Sequence, residues 1–212
     1  MSEPCQGVAT SVAPTNAAVL LLRDIALTGV AALLARYDLR LQLVGDDAPI
    51  PGSYWGEPEA GLIGTTVYAR NDTPVHSLLH EAAHLIVLDP DRRAAIHTNA
   101  TDSVEEEDAV CVLQSVLGDA LPGVGAERVL ADMDAWGYTF RLGSAHAYVM
   151  HDAEAAWQWL SARGLLMRSL RVRGSMPASN RALVATAFTW EIAVSTVPAM
   201  LRNPLTPPVV AV

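Results

Sequence analysis

The sequence predicts an α+β domain, with a small antiparallel or mixed sheet, a helix that carries two histidines around a glutamate, and a following helix headed by glutamates. Three observations lead there. Two short segments, 39–44 and 62–70, have strand character; "HEAAH" at His80 to His84 lies in a run bounded by helix start and stop signals; and Ser103 opens a second apolar run at helical spacing. With 212 residues and 51% hydrophobic composition, the chain can bury one core and needs no second. The expected organisation is a flexible arm over 1–16, one domain over 17–174 and an apolar C-terminal segment over 175–212.

The elements follow in order. The arm is rich in small and polar residues. Asn16 suits an N-cap for a helix from about Ala17 to Tyr37, where Val19, Leu22, Ile25, Ala26, Val30, Leu33 and Leu34 fall on one side. "LRLQLV" at Leu39 to Val44 alternates with period two, as a half-buried strand does. Gly45 to Gly61 is a long connection with an aromatic pair, Tyr54 and Trp55, which favours an ordered loop. Leu62 to Arg70 reads as a second strand because of its β-branched and aromatic residues. Thr73 as N-cap and Pro74 at the first helical position start the motif helix, which Pro90 stops.

Residues 89–102 read as a polar loop or short turn. Ser103 then caps a helix to about Leu121, with Glu106 at the capping-box position. A helix near Ala126 to Ala135, mixed strand and loop up to Asp152, and a helix from Asp152 to Gly164 complete the domain. Ala182 to Leu201 holds Glu191 as its single charge and is just long enough for a membrane span, but the central Glu and Pro198 favour an apolar helix packed on the domain or on another subunit.

Composition narrows the function. Lys plus Arg total 14 against 23 Asp plus Glu, a net charge of -9, and the longest basic cluster is "RVR" at Arg171. Nucleic acid is not expected as a partner, because phosphate binding needs a concentrated positive face. Two cysteines, Cys5 and Cys111, make no disulfide framework, and Glu3 stands where a secretion signal carries a positive charge. A reducing compartment, the cytoplasm, is the expected location.

The chemistry lies in His80, Glu81 and His84. On a helix, residues four apart are separated by about 40° around the axis and roughly 6 Å along it, so two imidazoles can converge on one ion. A catalytic zinc takes three protein ligands and keeps a position open for water. Glu81, adjacent to the first ligand, is placed to accept that water's proton. His76 lies one turn earlier, but three histidines in line along a straight helix span about 12 Å, too far to share an ion. It is expected in a supporting or rim position, or exposed.

The third ligand is expected among Glu105, Glu106 and Glu107. Ala109, Val110, Leu113, Val116 and Leu117 draw a core face that extends back to Glu105 and Glu106, whereas Glu107 aligns with Cys111, Gln114 and Gly118 on the flank. Glu106 is preferred, ahead of Glu105 and Glu107.

These residues resemble the zincin metallopeptidases that use a Glu as third ligand. "EEDAVC" at Glu106 to Cys111 is similar to the Glu-Ala-Asn/Asp-x-Phe-Ala pattern of the ImmA/IrrE-like family, matching at Glu106 and Asp108, with Val110 where Phe is usual. The resemblance spans roughly residues 17–122. It implies one Zn2+ held by His80, His84 and a Glu, hydrolysis of peptide bonds by a zinc-bound water that Glu81 activates, a peptide or protein substrate, and a strand over 62–70 whose edge receives that substrate. The Glu-x-x-x-Asp form of the glutamate zincins is absent, since Ala109, Val110 and Cys111 stand where its Asp would be, and no helix-turn-helix is recognisable. Tyr138 is the first candidate to stabilise a developing oxyanion, by chemistry alone, ahead of Arg141, His97, His146 and His151. A non-catalytic, zinc-containing interaction or regulatory protein of the same fold is the alternative.

Overall fold

Seven helices and a three-stranded mixed sheet make up the α+β architecture of the described residues, 19–169 and 189–192 of this computed structural model. The sheet combines β1 (Arg40–Leu43), β2 (Gly61–Ile63) and β3 (Thr66–Ala69) in the order β1-β3-β2, with β1 parallel and β2 antiparallel to β3. The helices are α1 (Leu27–Ala35), α2 (Val75–Val87), α3 (Pro90–Ala95), α4 (Val104–Asp119), α5 (Ala126–Trp136), α6 (Ala145–His151) and α7 (Glu154–Ala162).

The centre of the fold is α2. Eleven of its thirteen residues are buried, and its principal partner is α4, which is buried continuously from Ala109 to Gly118. Leu78, Leu79 and Leu85 of α2 and Leu113 and Leu117 of α4 have almost no exposed surface and belong to one hydrophobic core. A helix enclosed this completely should be apolar all round, so the polar residues His76, Ser77, Glu81 and His84 inside it call for partners or a function.

The first predicted helix is shorter than its apolar pattern suggests. Within the described residues it begins at Leu27, because the preceding backbone spends its hydrogen bonds elsewhere: Leu22 N donates to Thr73 O and Val75 N to Leu20 O, each at 2.9 Å. Leu20 N also donates to Asp132 Oδ2 at 3.0 Å, tying this segment to α5. Asn16 and the arm over 1–16 lie outside the described residues.

The predicted strand 62–70 is instead a hairpin. Gly64, with φ of 57°, adopts the left-handed conformation that lets the chain reverse between β2 and β3, a bend that alternation alone does not reveal. The strand entering the motif helix, β3, is therefore central rather than an edge. The outer side of β2 is already paired: Leu62 N donates to Gly52 O, Thr98 N to Leu62 O and Gly64 N to Ile96 O. Gly61 permits the close pass of the 51–53 backbone, which a side chain there would strike.

Smaller departures have similar causes. Thr73 turns its hydroxyl back to accept from Arg70 N, so Pro74 occupies the N-cap of α2. Asp89 accepts from Asp91 N and Arg92 N and thereby starts α3 in what reads as loop. The stretch before Asp152 is helical as α6, capped by Ser144, and α7 starts from Ala153 because Asp152 is engaged by Arg141. In the apolar segment 182–201, expected to be helical, Thr189–Ile192 is a strand antiparallel to Leu166–Ser169, as its Thr, Trp and Ile favour. The rest of that segment lies outside the described residues. Among the described residues no helix is long and apolar enough to cross a membrane.

Candidate metal centre

His80 and His84 leave α2 on the side that faces α4, one turn apart, with their Nε2 atoms 3.1 Å from each other. The carboxylate that meets them is Glu107, from the first turn of α4: Oε1 lies 3.4 Å from His84 Nε2 and Oε2 3.8 Å from His80 Nε2. Three donors of this kind can be tested against an ion. Zinc bonds of about 2.0–2.2 Å at tetrahedral angles set neighbouring donor atoms roughly 3.3–3.6 Å apart. The observed separations bracket that range, and all three donors fall within 4.8 Å of one another. The residues present fit a single small dication.

The orientation of His80 is set from α4. Its Nδ1 lies 2.6 Å from Gln114 Oε1, and because an amide oxygen only accepts, Nδ1 must carry the proton and Nε2 is left with its lone pair towards His84 and Glu107. Gln114 is fully buried, and it lies two helical turns from Glu107. One stripe of α4 therefore supplies both the carboxylate and the residue that holds the imidazole in place.

Burial pulls each of these groups toward its neutral form. The His80 imidazole is lowered to about 4 by desolvation, against the raising influence of Gln114. His84 is pushed well below its ordinary value by burial and then by His80. Desolvation raises the Glu107 carboxyl to about 7, with Asp108 and Glu106 adding to the rise. Glu81, beside His80 in the chain, is raised well above the usual carboxyl range by burial, then by Glu107 and Glu59. Two neutral imidazoles and two crowded carboxyls are costly to assemble, and a cation among them offsets that cost. The site still reaches solvent, since the side chains of His80 and Glu107 are 17% and 30% exposed.

Glu106, the ligand preferred from sequence, is turned away from the histidines. It holds Arg92 of α3 through two hydrogen bonds, at 2.7 and 3.1 Å, and this guanidinium lowers its carboxyl. Glu105 is exposed. The extrapolated core face misleads because α4 is buried all round beyond its second turn, so apolar spacing marks no single direction. The signal that separates the three glutamates is Gln114, a polar residue in an apolar run and in line with Glu107.

His76 is fully buried rather than at the rim or exposed, with its ring centroid 5.4 Å from that of Trp136 and 5.7 Å from that of Tyr138. Tyr138 is half-buried and flanks the site, its ring 6.1 Å from that of His80. Arg141 pairs with Asp152, His97 hydrogen-bonds Thr98, His146 lies 3.6 Å from Glu127, and His151 is exposed. Glu59 also belongs to the surroundings of Glu81 and carries no motif, and it is held by Trp136, whose stretch "DMDAWGYTFRLG" reads from sequence as either a pocket wall or core.

The buried histidines should make the protein acid-sensitive when no metal is bound. Desolvation lowers His76 to about 3, so its neutral form contributes stability that is complete above about pH 6.5 and is lost as pH falls toward 3. A shift of this size corresponds to a few kcal/mol on the order-of-magnitude scale. His76→Phe, which keeps an aromatic ring against Trp136 and Tyr138, should flatten the fall in melting temperature between pH 6.5 and 4 in chelator-treated protein. An unchanged acid limb would refute this assignment.

No known protein family, curated protein or solved structure matches this chain.

Proposed function

We propose that the chain is a zinc-dependent metallopeptidase in which His80, His84 and Glu107 hold one Zn2+ and Glu81 is the general base. One observation carries this reading: two imidazoles and a carboxylate, from two different helices, bring their donor atoms to the spacing of tetrahedral ligands beside a buried glutamate. It is supported by the Gln114 bond that fixes the His80 tautomer, an investment that a purely apolar helix contact does not need. The zincin-like resemblance points the same way.

When bound, the ion supplies Lewis acidity, which polarises a peptide carbonyl and brings the pKa of water toward 7. The chain's own residues do the rest. Glu81 takes the proton from the attacking water and returns it to the leaving amine, so the C–N bond breaks with no net change in the protonation of the protein. Its carboxyl is raised by burial, then by Glu107 and Glu59, which makes it a stronger proton acceptor than an exposed glutamate. Tyr138, flanking His80, is the residue proposed to donate to the oxygen on which charge develops.

A second reading has one observation in its favour. The outer side of β2, where an extended peptide would add a strand, is filled by residues 52 and 96–98. That arrangement suits a zinc-containing interaction or regulatory protein that turns over no substrate. Metal analysis beside a peptide-library cleavage assay separates the two. About one equivalent of zinc with chelator-sensitive cleavage is the expected result; zinc without cleavage supports the second reading, and failure to retain zinc after reconstitution overturns both. A cytoplasmic location is part of the proposal, in keeping with a chain of only two cysteines, too few for a disulfide framework.

A further inference from the structure

Glu59 is a carboxylate without a cation. It sits at the end of the long 45–61 connection, immediately before the buried amide of Ala60, which donates to Ser77 Oγ at 3.0 Å. Ser77 lies one turn before Glu81 on α2, so this bond fastens Glu59 beside the face of the helix that carries the proposed base. The Glu59 carboxylate is itself held: Trp136 Nε1 donates to Oε1 at 2.7 Å, and the Trp136 ring packs against buried His76. No arginine of the described residues pairs with it, and the whole chain contains no lysine, its 14 basic residues all being arginine.

The Glu81 carboxyl is raised by burial, then by Glu107 and Glu59. An ion held by His80, His84 and Glu107 would sit against Glu107 and leave Glu59 with its indole partner. Glu59 has a single donor, one indole N–H, and its carboxyl is raised by burial against that bond. A half-buried carboxylate so poorly matched is stabilised by a ligand that brings a positive charge.

We propose that Glu59 determines which substrates enter, its carboxylate receiving a cationic group of the peptide, either a free α-ammonium or the side chain of Lys or Arg, next to the carbonyl that reacts beside Glu81. The inference rests on the metallopeptidase reading and names its substrate class: peptides with a positive charge close to the cleaved bond. A free α-ammonium would make the protein an exopeptidase; a side-chain cation would make it an endopeptidase that cuts near basic residues.

The test uses zinc-loaded Glu81→Gln protein, in which a bound peptide persists, with and without Glu59→Gln. Glutamine retains an oxygen for Trp136 Nε1, so only the charge is removed and the melting temperature should hold. Three short peptides are compared by calorimetry: one neutral and N-acetylated, one neutral with a free N-terminus, and one acetylated with an Arg. One of the two cationic peptides is expected to bind about tenfold or more tightly than the neutral one, the scale of a charge-assisted hydrogen bond, and Glu59→Gln should abolish the difference. Which cationic peptide gains identifies the source of the charge. Equal affinities, or a preference that survives Glu59→Gln, overturn the inference. The zinc content of the same samples keeps the two readings apart: a preference without zinc would sink the metallopeptidase alone, and no peptide binding at all would sink this inference.

Discussion

Replacing Glu107 by Gln should strip the protein of zinc, lowering its affinity by roughly two orders of magnitude or more, while Glu105→Gln and Glu106→Gln leave it near the wild-type value. Three consecutive glutamates of similar composition and exposure to the helix dipole are thus expected to behave quite differently. Glu107 alone approaches both imidazoles, at 3.4 and 3.8 Å. Glu106 is committed to Arg92, an ion pair half open to solvent whose loss costs about 1 kcal/mol or less. The measurement is a competition titration with a chromophoric chelator on the three variants. Zinc loss at Glu106→Gln with retention at Glu107→Gln would show that the first turn of α4 is oriented differently from the geometry described above. Retention should also depend on pH. With the Glu107 carboxyl at about 7, protons compete for the same oxygen, so affinity is expected to climb as pH rises through that value and to fall below it.

Glu81→Gln is expected to abolish cleavage, by about a hundredfold to ten-thousandfold in kcat, and to leave the zinc in place. Glutamine matches the shape of glutamate and can still hydrogen-bond to water, but it cannot take a proton. The side chain is almost fully buried, so removing its charge is not expected to harm the fold. Indeed desolvation and the neighbouring Glu107 and Glu59 carboxylates already oppose that charge, and the variant should melt at the same temperature or slightly higher in the absence of metal. Cleavage that persists in Glu81→Gln would remove Glu81 from the mechanism. Loss of zinc in the same variant would instead make it a ligand.

The sequence was most informative where chemistry and local pattern coincide. His80 and His84 at a spacing of four, inside a run bounded by a proline at each end, determine both a helix and the convergence of two imidazoles, and the structure has them 3.1 Å apart. The existence of α4 and its Ser103 cap follows equally from local residues. Identifying the third donor demands the rotation of α4 about its axis, which depends on what packs on all its sides. Because α2, α5 and α7 all contact it, no apolar stripe betrays that rotation. The hairpin at Gly64 and the late start of the first helix were hidden for another reason: both depend on hydrogen bonds to residues distant in sequence, Ile96 in one case and Thr73 in the other. Glu59 could not be found at all from spacing, since its relation to Glu81 runs through Ala60, Ser77 and Trp136.

One feature of α4 links parts of the molecule that otherwise look separate. Glu106 and Glu107 are neighbours on the same helical turn, one gripping Arg92 of α3 and the other reaching the paired imidazoles of α2. The chain leaving α3 runs directly into residues 96–98, which close off the outer side of β2. One turn of α4 is thus a junction: through two adjacent carboxylates it touches both the paired imidazoles of α2 and the helix that leads into the covered margin of the sheet.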